Sequence, residues 1–225
     1  MDFDVFKNGL VVSCQAQFDH PLNDPNVMAL LAECAKRGGA VGVRAEGFHN
    51  IREIKKRVGI PIIGIRKKHL YRDRFFITPT FQDAELIAQA GADMIALEAT
   101  LENQPDTDKL GELIKRIQCE LNLPVMADVS TYEEGMRAWA LNADVVSTTL
   151  SGYTKSSQYD EKPNLTLVER LAQKGVKTVC EGNIRTQEHV KQAFQKGAHF
   201  CIVGKAITDP LAITSWFCQS IVTHQ

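Results

Sequence analysis

The chain has 225 residues, of which 44% are hydrophobic and 24% charged, as in ordinary soluble globular proteins. Its 26 Lys and Arg residues balance its 27 Asp and Glu residues, which excludes the strongly basic surface of a general nucleic-acid binder. No apolar stretch approaches the length of a membrane span, and the first twenty residues lack the pattern of a secretory signal. A cytoplasmic protein is therefore expected.

Eight short apolar runs, rich in β-branched residues, predict strands buried on both faces. In chain order they are Leu10–Cys14, Ala40–Val43, Pro61–Ile65, Asp93–Leu97, Pro124–Ala127, Asp144–Ser147, Val176–Cys180 and Phe200–Val203. Amphipathic helical patterns lie between these runs. The clearest helix starts are Asp24-Pro25 before Asn26–Arg37, a capping box at Thr131–Glu134, and Thr186.

A weak internal repeat supports an alternating strand–helix order. Gly39-Ala40, Gly91-Ala92, Asn142-Ala143 and Gly197-Ala198 are spaced 52, 51 and 55 residues apart, and each pair suits the end of a helix and the start of a strand. Each spacing holds about two strand–helix units, which predicts one α/β domain over residues 1–225, a (β/α)8 TIM barrel. An open, doubly wound parallel sheet is the alternative.

The cysteines and histidines predict no metal site. The six cysteines are Cys14, Cys34, Cys119, Cys180, Cys201 and Cys218. No two of them have the close spacing of a zinc knuckle or a redox pair, and the histidines form no HExxH motif. Cys14, Cys180 and Cys201 lie within predicted strands, so we expect buried thiols in a reducing compartment.

Polar residues follow each predicted strand, where a barrel enzyme carries its active site. They are Gln15, Arg44, Arg66 with Lys67, Glu98, Asp128, Thr148 with Thr149, Glu181, and Gly204 with Lys205. Cations among acids and hydroxyls suit an anionic, polyhydroxylated ligand. Glycines after the last two strands, Gly182 and Gly204, suit a phosphate site, whereas the dinucleotide and P-loop signatures are absent. The basic stretch Arg66–Arg74 is predicted to be a solvated loop with one functional lysine.

At these strand ends the sequence resembles the N-acetylmannosamine-6-phosphate 2-epimerase family of bacterial sialic acid breakdown. The most specific matching run is Ser147–Thr154 (STTLSGYT), and shorter matches include Gly9–Gln15, Gly39–Arg44, Ile77–Thr80, Met126–Ser130 and Glu181-Gly182. The resemblance implies a phosphate-binding barrel without a cofactor or metal, acting on an amino-sugar phosphate. It implies Lys67 and Glu181 as the catalytic pair. By resemblance, Gln15, Arg44 and Asp128 match substrate-binding positions, and Thr148, Thr149, Ser151 and Tyr153 of the matching run are expected to join them. The phosphate is expected to bind after the last two strands, at Gly182, Asn183, Gly204 and Lys205.

The sequence departs from the family pattern around the expected phosphate. Asn183 stands where the family has arginine, with Arg185 two residues on, and Lys205 stands where it has a second glycine. Asp209 replaces an arginine, which removes an expected phosphate contact and brings a carboxylate to this region. Elsewhere, Glu98 replaces an aspartate, and Lys67-Lys-His69 replaces Lys-Arg-Asp.

Epimerisation at C2 requires removal of a C–H proton that is acidic only beside the aldehyde of the open-chain sugar. A base must take this proton from one face and an acid must return one to the other. For Lys67 to act as the base its pKa must fall, through burial or through a neighbouring Arg44 or Arg66. Arg44 and Gln15 are candidates for stabilising the enolate oxygen, and Asp128 for orienting a lysine or holding a hydroxyl.

Two other function classes remain open from the sequence. One is a different sugar-phosphate isomerase or a Schiff-base aldolase acting through Lys67. The other is a sugar-phosphate binding protein without turnover. The oligomeric state is also open. The apolar strip at Ile213, Trp216, Phe217 and Ile221 more often packs on the barrel than on the partner of a homodimer.

Overall fold

The computed structural model describes residues 5–71 and 74–222, in which short strands alternate with helices. The described strands are β1 (Leu10–Cys14), β2 (Gly42–Glu46), β3 (Ile62–Ile65), β4 (Lys67–Tyr71), β5 (Arg74–Ile77), β6 (Met94–Glu98), β7 (Val125–Asp128), β8 (Val145–Ser147), β9 (Thr178–Cys180) and β10 (Phe200–Val203). All eight predicted runs are strands, with ends shifted by at most three residues. The predicted buried runs therefore correspond to the barrel strands.

The eight barrel strands are parallel and close on themselves in the order β1-β10-β9-β8-β7-β6-β3-β2. Closure is made by β1, in which Val11 is in register with both Ile202 of β10 and Gly42 of β2. A sheet closed in this way has no free edge. The open, doubly wound alternative is therefore wrong, and the (β/α)8 barrel is confirmed.

Helices surround the barrel, and several of them begin at residues with capping side chains. The described helices are α1 (Pro25–Arg37), α2 (Phe48–Arg57), α3 (Phe81–Gln89), α4 (Thr107–Glu120), α5 (Tyr132–Ala140), α6 (Leu165–Ala172), α7 (Gln187–Gln195), α8 (Lys205–Thr208) and α9 (Pro210–Val222). Asp24 caps α1, Thr186 caps α7, and Thr131 forms the predicted capping box with Glu134. Within the described ranges, none of these helices has both the length and the apolar character needed to cross a bilayer.

The basic stretch after β3 is a hairpin and not the loop predicted from its charge. β4 and β5 pair as an antiparallel two-stranded sheet, with Lys67 opposite Ile77 and Lys68 opposite Phe76. The pairing satisfies backbone groups that a solvated loop would leave to water. Lys67 therefore lies at the base of a paired element directly beyond β3.

Strand alternation separates the residues facing the helices from those facing the barrel interior. Val12, Val43, Ile62 and Leu97 pack in the cluster beneath the helices. A second cluster fills the interior of the barrel; its members include Val11, Ile63, Ile65, Met94, Ala96, Met126, Val145, Val179 and Ile202. Phe6 and Phe200 stack in this inner cluster with ring centroids 5.2 Å apart. The interior is thus a packed core and not a channel.

Candidate active site

Several of the polar residues at the strand ends occupy inward-facing positions. Ala45 packs beneath the helices, so its neighbours Arg44 and Glu46 face inward. The same alternation turns Asp128 inward beyond Met126, and Glu98 inward beyond Ala96. The apolar interior therefore ends in a layer of charged side chains at the carboxyl ends of the strands.

At the centre of this layer, Arg44 binds two carboxylates from other strands. Its Nη2 donates to Asp128 Oδ2 at 2.6 Å, and its Nη1 donates to Asp128 Oδ1 at 3.1 Å. Nη1 also donates to a carboxylate oxygen of Glu181, and both atoms belong to an ion pair. The side chains of Arg44 and Asp128 are 1% and 0% exposed. Three of the predicted site residues thus form one buried charge cluster.

Hydroxyl groups of the Ser147–Thr154 run complete this cluster. Thr149 Oγ1 lies 2.7 Å from Asp128 Oδ1, 2.9 Å from Glu181 Oε2 and 2.8 Å from Ser147 Oγ. Thr148 instead binds the backbone of Glu181, donating from Oγ1 to its carbonyl at 2.9 Å and accepting from its N–H at 3.2 Å. Thr148 therefore holds the position of Glu181, whereas Thr149 holds its carboxylate.

Burial moves the pKa values of the two predicted catalytic groups toward each other. The pKa of Glu181 is raised by burial and by the Asp128 charge, against the opposing effect of Arg44. The pKa of Lys67 is lowered by burial, with a further decrease from Arg44. An acid with a raised pKa and an amine with a lowered pKa are each suited to general acid–base catalysis.

Lys67 and Glu181 reach the site from opposite walls of the barrel. Lys67 lies two residues beyond β3, and Glu181 directly follows β9. In the strand order, β6, β7 and β8 separate these strands on one side, and β2, β1 and β10 on the other. A molecule in the mouth of the barrel would therefore meet the two groups on different faces.

A second carboxylate near Lys67, that of Glu46, was missed by the sequence analysis. Glu46 Oε1 accepts the backbone N–H of Lys67 at 3.4 Å, and among the nearby charges the Glu46 carboxylate acts most strongly on the Lys67 ammonium, raising its pKa. The signal was present, because Glu46 has the same strand parity as Arg44. It was overlooked because the predicted strand ended at Val43, three residues before the true end of β2.

Glu98 is held beside the central cluster by groups of its own loop. It accepts Thr100 Oγ1 at 2.6 Å, Asn103 Nδ2 at 2.7 Å and the backbone N–H of Ile77 at 3.4 Å. Burial raises the pKa of its carboxyl group. These contacts connect Glu98 to the base of the β4–β5 hairpin.

Three predicted substrate-binding residues lie outside the charge cluster. Gln15 Nε2 donates to Ser13 Oγ at 2.8 Å, and Ser151 Oγ accepts Asn164 Nδ2 at 2.9 Å. Tyr153, which is 51% exposed, donates to Asn183 Oδ1 at 3.2 Å. Ser151 also lines a cavity of about 580 Å³, together with Glu181 and Gly182.

The residues predicted to bind phosphate are brought to adjacent strand ends, but their side chains are differently used. Asn183 donates from Nδ2 to the carbonyl of Asp160 at 2.6 Å, so its amide holds the neighbouring loop. Lys205 is exposed at the start of α8, directly after Gly204. Gly182 has φ +99°, a conformation that favours glycine. The loops after β9 and β10 are thus neighbours at the rim.

The Asp209 carboxylate is held by hydrogen bonds at the start of α9. Its Oδ1 accepts the backbone N–H of Ala212 at 2.9 Å, in the first turn of α9, and lies 3.2 Å from His20 Nε2. The backbone N–H of Leu22 donates to His20 Nδ1 at 3.1 Å, which leaves Nε2 of the neutral ring as the donor. Arg66, offered as a neighbour of Lys67, instead binds Asp83.

The last helix corrects the expectation that its apolar strip packs on the barrel. Phe217 and Ile221 are 72% and 68% exposed, while Ile213 and Trp216 are partly buried. The Trp216 ring lies under the Arg185 guanidinium, with 4.8 Å between the ring centroid and the guanidinium carbon.

Within residues 5–71 and 74–222, no three His, Cys, Asp or Glu side chains are grouped as a metal ion requires.

The chain was compared with known proteins by sequence and by structure. Residues 28–223 match the family model NanE, described as "Putative N-acetylmannosamine-6-phosphate epimerase". The chain belongs to this family. A member of the NanE family from Caldanaerobacter subterraneus subsp. tengcongensis, named "Putative N-acetylmannosamine-6-phosphate 2-epimerase", is 46% identical over 96% of this chain and 92% of its own length. A second relative of the same name, from Clostridioides difficile, is 42% identical over 97% of this chain and 98% of its own length.

A solved structure of the family has the same fold. The N-acetylmannosamine-6-phosphate 2-epimerase from Clostridium perfringens superposes with a TM-score of 0.89 at 40% sequence identity, covering 96% of this chain and 94% of that one. The similarity to this NanE structure therefore extends over nearly the whole chain.

Proposed function

We propose that this protein interconverts N-acetylmannosamine 6-phosphate and N-acetylglucosamine 6-phosphate by proton transfer at C2, without a cofactor. The proposal is supported by membership of the NanE family and by one observation of the site. That observation is the origin of Lys67 and Glu181 on opposite walls of the barrel, with pKa values shifted toward each other. This arrangement suits inversion at carbon, since one group can remove the proton from one face and the other can return a proton to the opposite face.

The reaction would proceed through the open-chain aldehyde. One of the pair, Lys67 or Glu181, removes the C2 proton, and the electrons of the C–H bond move into an enolate whose oxygen is O1. The other group returns a proton to the opposite face of C2, and the two roles exchange in the reverse direction. Arg44 and Gln15 remain our candidates for stabilising the enolate oxygen, and such donors contribute several kcal/mol when they are preorganised.

Arg44, Asp128 and Thr149 would tune Glu181 before the substrate arrives. Arg44 and Thr149 both bind the Glu181 carboxylate, and this favours its charged form. A substrate hydroxyl or carbonyl that drew Arg44 away would remove this effect and raise the pKa of Glu181. Asp128 then serves to hold Arg44, and the lysine-orienting role considered for it from the sequence is not part of this proposal.

The phosphate would be bound by the loops after β9 and β10, through Gly182, Asn183, Gly204 and Lys205. Barrel enzymes commonly bind phosphate at the last two strands. The exposed ammonium of Lys205 supplies positive charge there, and Arg185 is a second cation at the rim. Phosphate-binding energy would hold the scarce open-chain form in place. Plain N-acetylmannosamine is therefore expected to react with a much lower kcat/KM.

The deciding experiment is to incubate the protein with N-acetylmannosamine 6-phosphate in D2O, without metal or nucleotide, and to record proton NMR spectra. Loss of the C2–H signal with growth of deuterated N-acetylglucosamine 6-phosphate would support the proposal. Binding without exchange would favour a sugar-phosphate binding protein. Trapping of the substrate on Lys67 by borohydride would favour a Schiff-base aldolase.

We further propose a homodimer formed through α9, acting in the cytoplasm. The helix Pro210–Val222 contains no charged residue, yet Leu211, Phe217 and Ile221 are all more than half exposed. An exposed apolar face of this kind suits the same face of a second copy. Light scattering after gel filtration should show a dimer that Phe217→Glu dissociates.

The cytoplasm is proposed as the compartment because a charged sugar phosphate does not cross a bilayer unaided.

A further inference from the structure

The two residues on either side of Lys67 bind the same buried carboxylate. Arg66 Nε lies 3.3 Å from Asp83 Oδ1, and Lys68 Nζ lies 2.9 Å from Asp83 Oδ2. Each cation thus takes one oxygen of Asp83, which lies in the first turn of α3. The proposed catalytic lysine is the central residue of this three-residue segment, and both of its neighbours bind the same side chain of helix α3.

Asp83 is itself fixed by the start of α3. Its side chain is 4% exposed, and Oδ2 accepts Thr80 Oγ1 at 2.5 Å. The backbone N–H of Asp83 donates to Thr80 Oγ1 at 3.3 Å, which completes the cap. A carboxylate in the first helical turn is favoured by the helix dipole, and a buried carboxylate requires cationic partners. Asp83 is therefore a rigid anchor that attracts both neighbours of Lys67.

The backbone between β3 and β4 is fixed by two hydrogen bonds between Arg66 and Thr78. The Thr78 N–H donates to the carbonyl of Arg66 at 2.7 Å, and the Arg66 N–H donates to Thr78 Oγ1 at 3.1 Å. Thr78 is fully buried with φ +47°, which is unusual for a β-branched residue and persists only where surrounding contacts enforce it. These bonds hold Arg66 in the extended line of the strand.

Strand alternation then determines where Lys67 points. Ile63 and Ile65 face the barrel interior, and Lys67 has the same parity two residues further on. Arg66 and Lys68 have the opposite parity and reach Asp83 on the helical side. Binding both of them outward leaves the inward direction to Lys67, whose ammonium is influenced by the Glu46, Glu181 and Asp128 carboxylates.

We propose that Asp83 is a positioning residue for the reaction, which aims Lys67 into the mouth of the barrel by binding Arg66 and Lys68 on the outer side. The inference rests on the proposed catalytic role of Lys67. Lysine has a long and flexible side chain, so its reach depends on a correctly oriented backbone. None of the bonds described for Asp83 joins it to the charge cluster of Arg44, Asp128 and Glu181. Asp83 therefore acts on Lys67 through Arg66 and Lys68.

The test compares Asp83→Asn with the matched control Asp93→Asn. Asp93 also binds a lysine, with both oxygens 2.7 Å from Lys55 Nζ, and accepts the backbone N–H of Ile62, but it precedes β6 at the far end of the barrel. Asp83→Asn is expected to lower kcat by about 10- to 100-fold, the effect of misplacing a reacting group by about 1 Å. KM should stay within about threefold, because a proton-transfer group is affected and not a binding group. Asp93→Asn should leave both constants near those of the wild type.

A second set of variants keeps the inference testable if Asp83→Asn does not fold. Arg66 and Lys68 are 39% and 45% exposed, so the double variant Arg66→Gln/Lys68→Gln should fold and show the same loss of kcat. Adding Asp83→Asn to it should cause no further loss, since all three residues act as one unit. A purely structural role would lower the thermal midpoint in every variant and leave kcat unchanged.

The outcomes separate this inference from the proposed function. If Lys67→Ala abolishes exchange while Asp83→Asn and the double variant keep full kcat, the positioning role is wrong and the catalytic role stands. If Lys67→Ala itself keeps full exchange, the proposed function of Lys67 is wrong, and the positioning role is overturned with it. If kcat falls in Lys67→Ala, in Asp83→Asn and in the double variant, and KM is retained in the last two of these, the catalytic role of Lys67 and the positioning role of Asp83 are both supported.

Discussion

Arg44 and Asp128 form an ion pair that is closed to solvent, with Arg44 Nη2 2.6 Å from Asp128 Oδ2 and neither side chain more than 1% exposed. The same guanidinium also binds Glu181, so one cation serves two carboxylates. Burial of such a group is tolerated only when the charges are paired and hydrogen-bonded. The pair is therefore required for the fold of this end of the barrel as well as for the site.

Replacing Arg44 should destabilise the protein strongly. Arg44→Met would leave the Asp128 carboxylate buried beside Glu181 with no cation between them, which typically costs about 3–5 kcal/mol. Urea unfolding followed by circular dichroism measures this. The control is Arg57→Met, which breaks the Arg57–Glu33 pair at 2.8 Å on the surface and should destabilise the protein far less, because solvent screens an exposed pair. Equal stability of the two variants would contradict the importance of the buried pair.

A side chain at position 67 that keeps the positive charge but cannot lose a proton should not support activity. Lys67→Arg keeps a cation, but a guanidinium does not lose its proton in proteins. The loss of one proton-transfer group should lower kcat by about 10²- to 10⁴-fold. The exchange of C2–H in D2O measures it, with Lys55→Arg as the control. Near-wild-type exchange in Lys67→Arg would mean that the lysine supplies only charge.

Glu46 should set the lower pH limit of activity. Lys67 must be neutral to act as a base, so kcat/KM rises as the pH passes upward through its pKa. Burial and Arg44 lower that pKa, whereas Glu46, Glu181 and Asp128 raise it. Glu46→Gln removes the largest raising charge, so the acid limb of the kcat/KM profile should move to lower pH.

The control for this profile is Glu53→Gln, which removes an exposed carboxylate paired with Lys56 on α2. Its acid limb should coincide with that of the wild type. A Glu46→Gln limb that moved to higher pH would show that Lys67 is not the group that titrates there.

The thiols should fall into two groups. Cys14, Cys180 and Cys201 are buried, whereas Cys34, Cys119 and Cys218 are exposed, and all six are free. Burial raises the pKa of Cys14 to about 12, and a hydrogen bond with Cys201 together with burial raises that of Cys180. An aromatic disulfide reagent should therefore label at most the three exposed cysteines of the native protein and all six in denaturant. Slow labelling of Cys218 alone would report contact at α9, and rapid labelling of a buried thiol would contradict the packing.

Local sequence patterns were enough to predict the barrel and much of its site. Runs such as Leu10–Cys14 and Phe200–Val203 match strands to the residue, because a buried strand needs a short apolar run wherever it lies. The capping box at Thr131–Glu134 was likewise readable, since it involves only neighbouring residues. The place of Arg44, Asp128 and Glu181 directly after apolar runs predicted that they lie at the barrel mouth, whereas the inward direction of Arg44 came from the structure.

Contacts between distant segments were not readable in this way. The sequence showed a run of basic residues after β3 but not the carboxylate of Asp83 that receives Arg66 and Lys68, because helix α3 supplies it. The role of Asp128 was open for the same reason, as its partner Arg44 lies 84 residues away. The exposure of Phe217 was mispredicted, since apolar periodicity does not say which surface a helix will cover.

The sequence by itself determined the strands, the helix starts, the barrel and the set of polar residues at its mouth, because each depends on the chemistry of a few consecutive residues. Only the tertiary structure decided which carboxylates Arg44 binds and that Glu46 lies beside Lys67. The physical reason is barrel closure: it brings together side chains from strands far apart in the chain, and their pairing depends on distance and burial that no local pattern encodes.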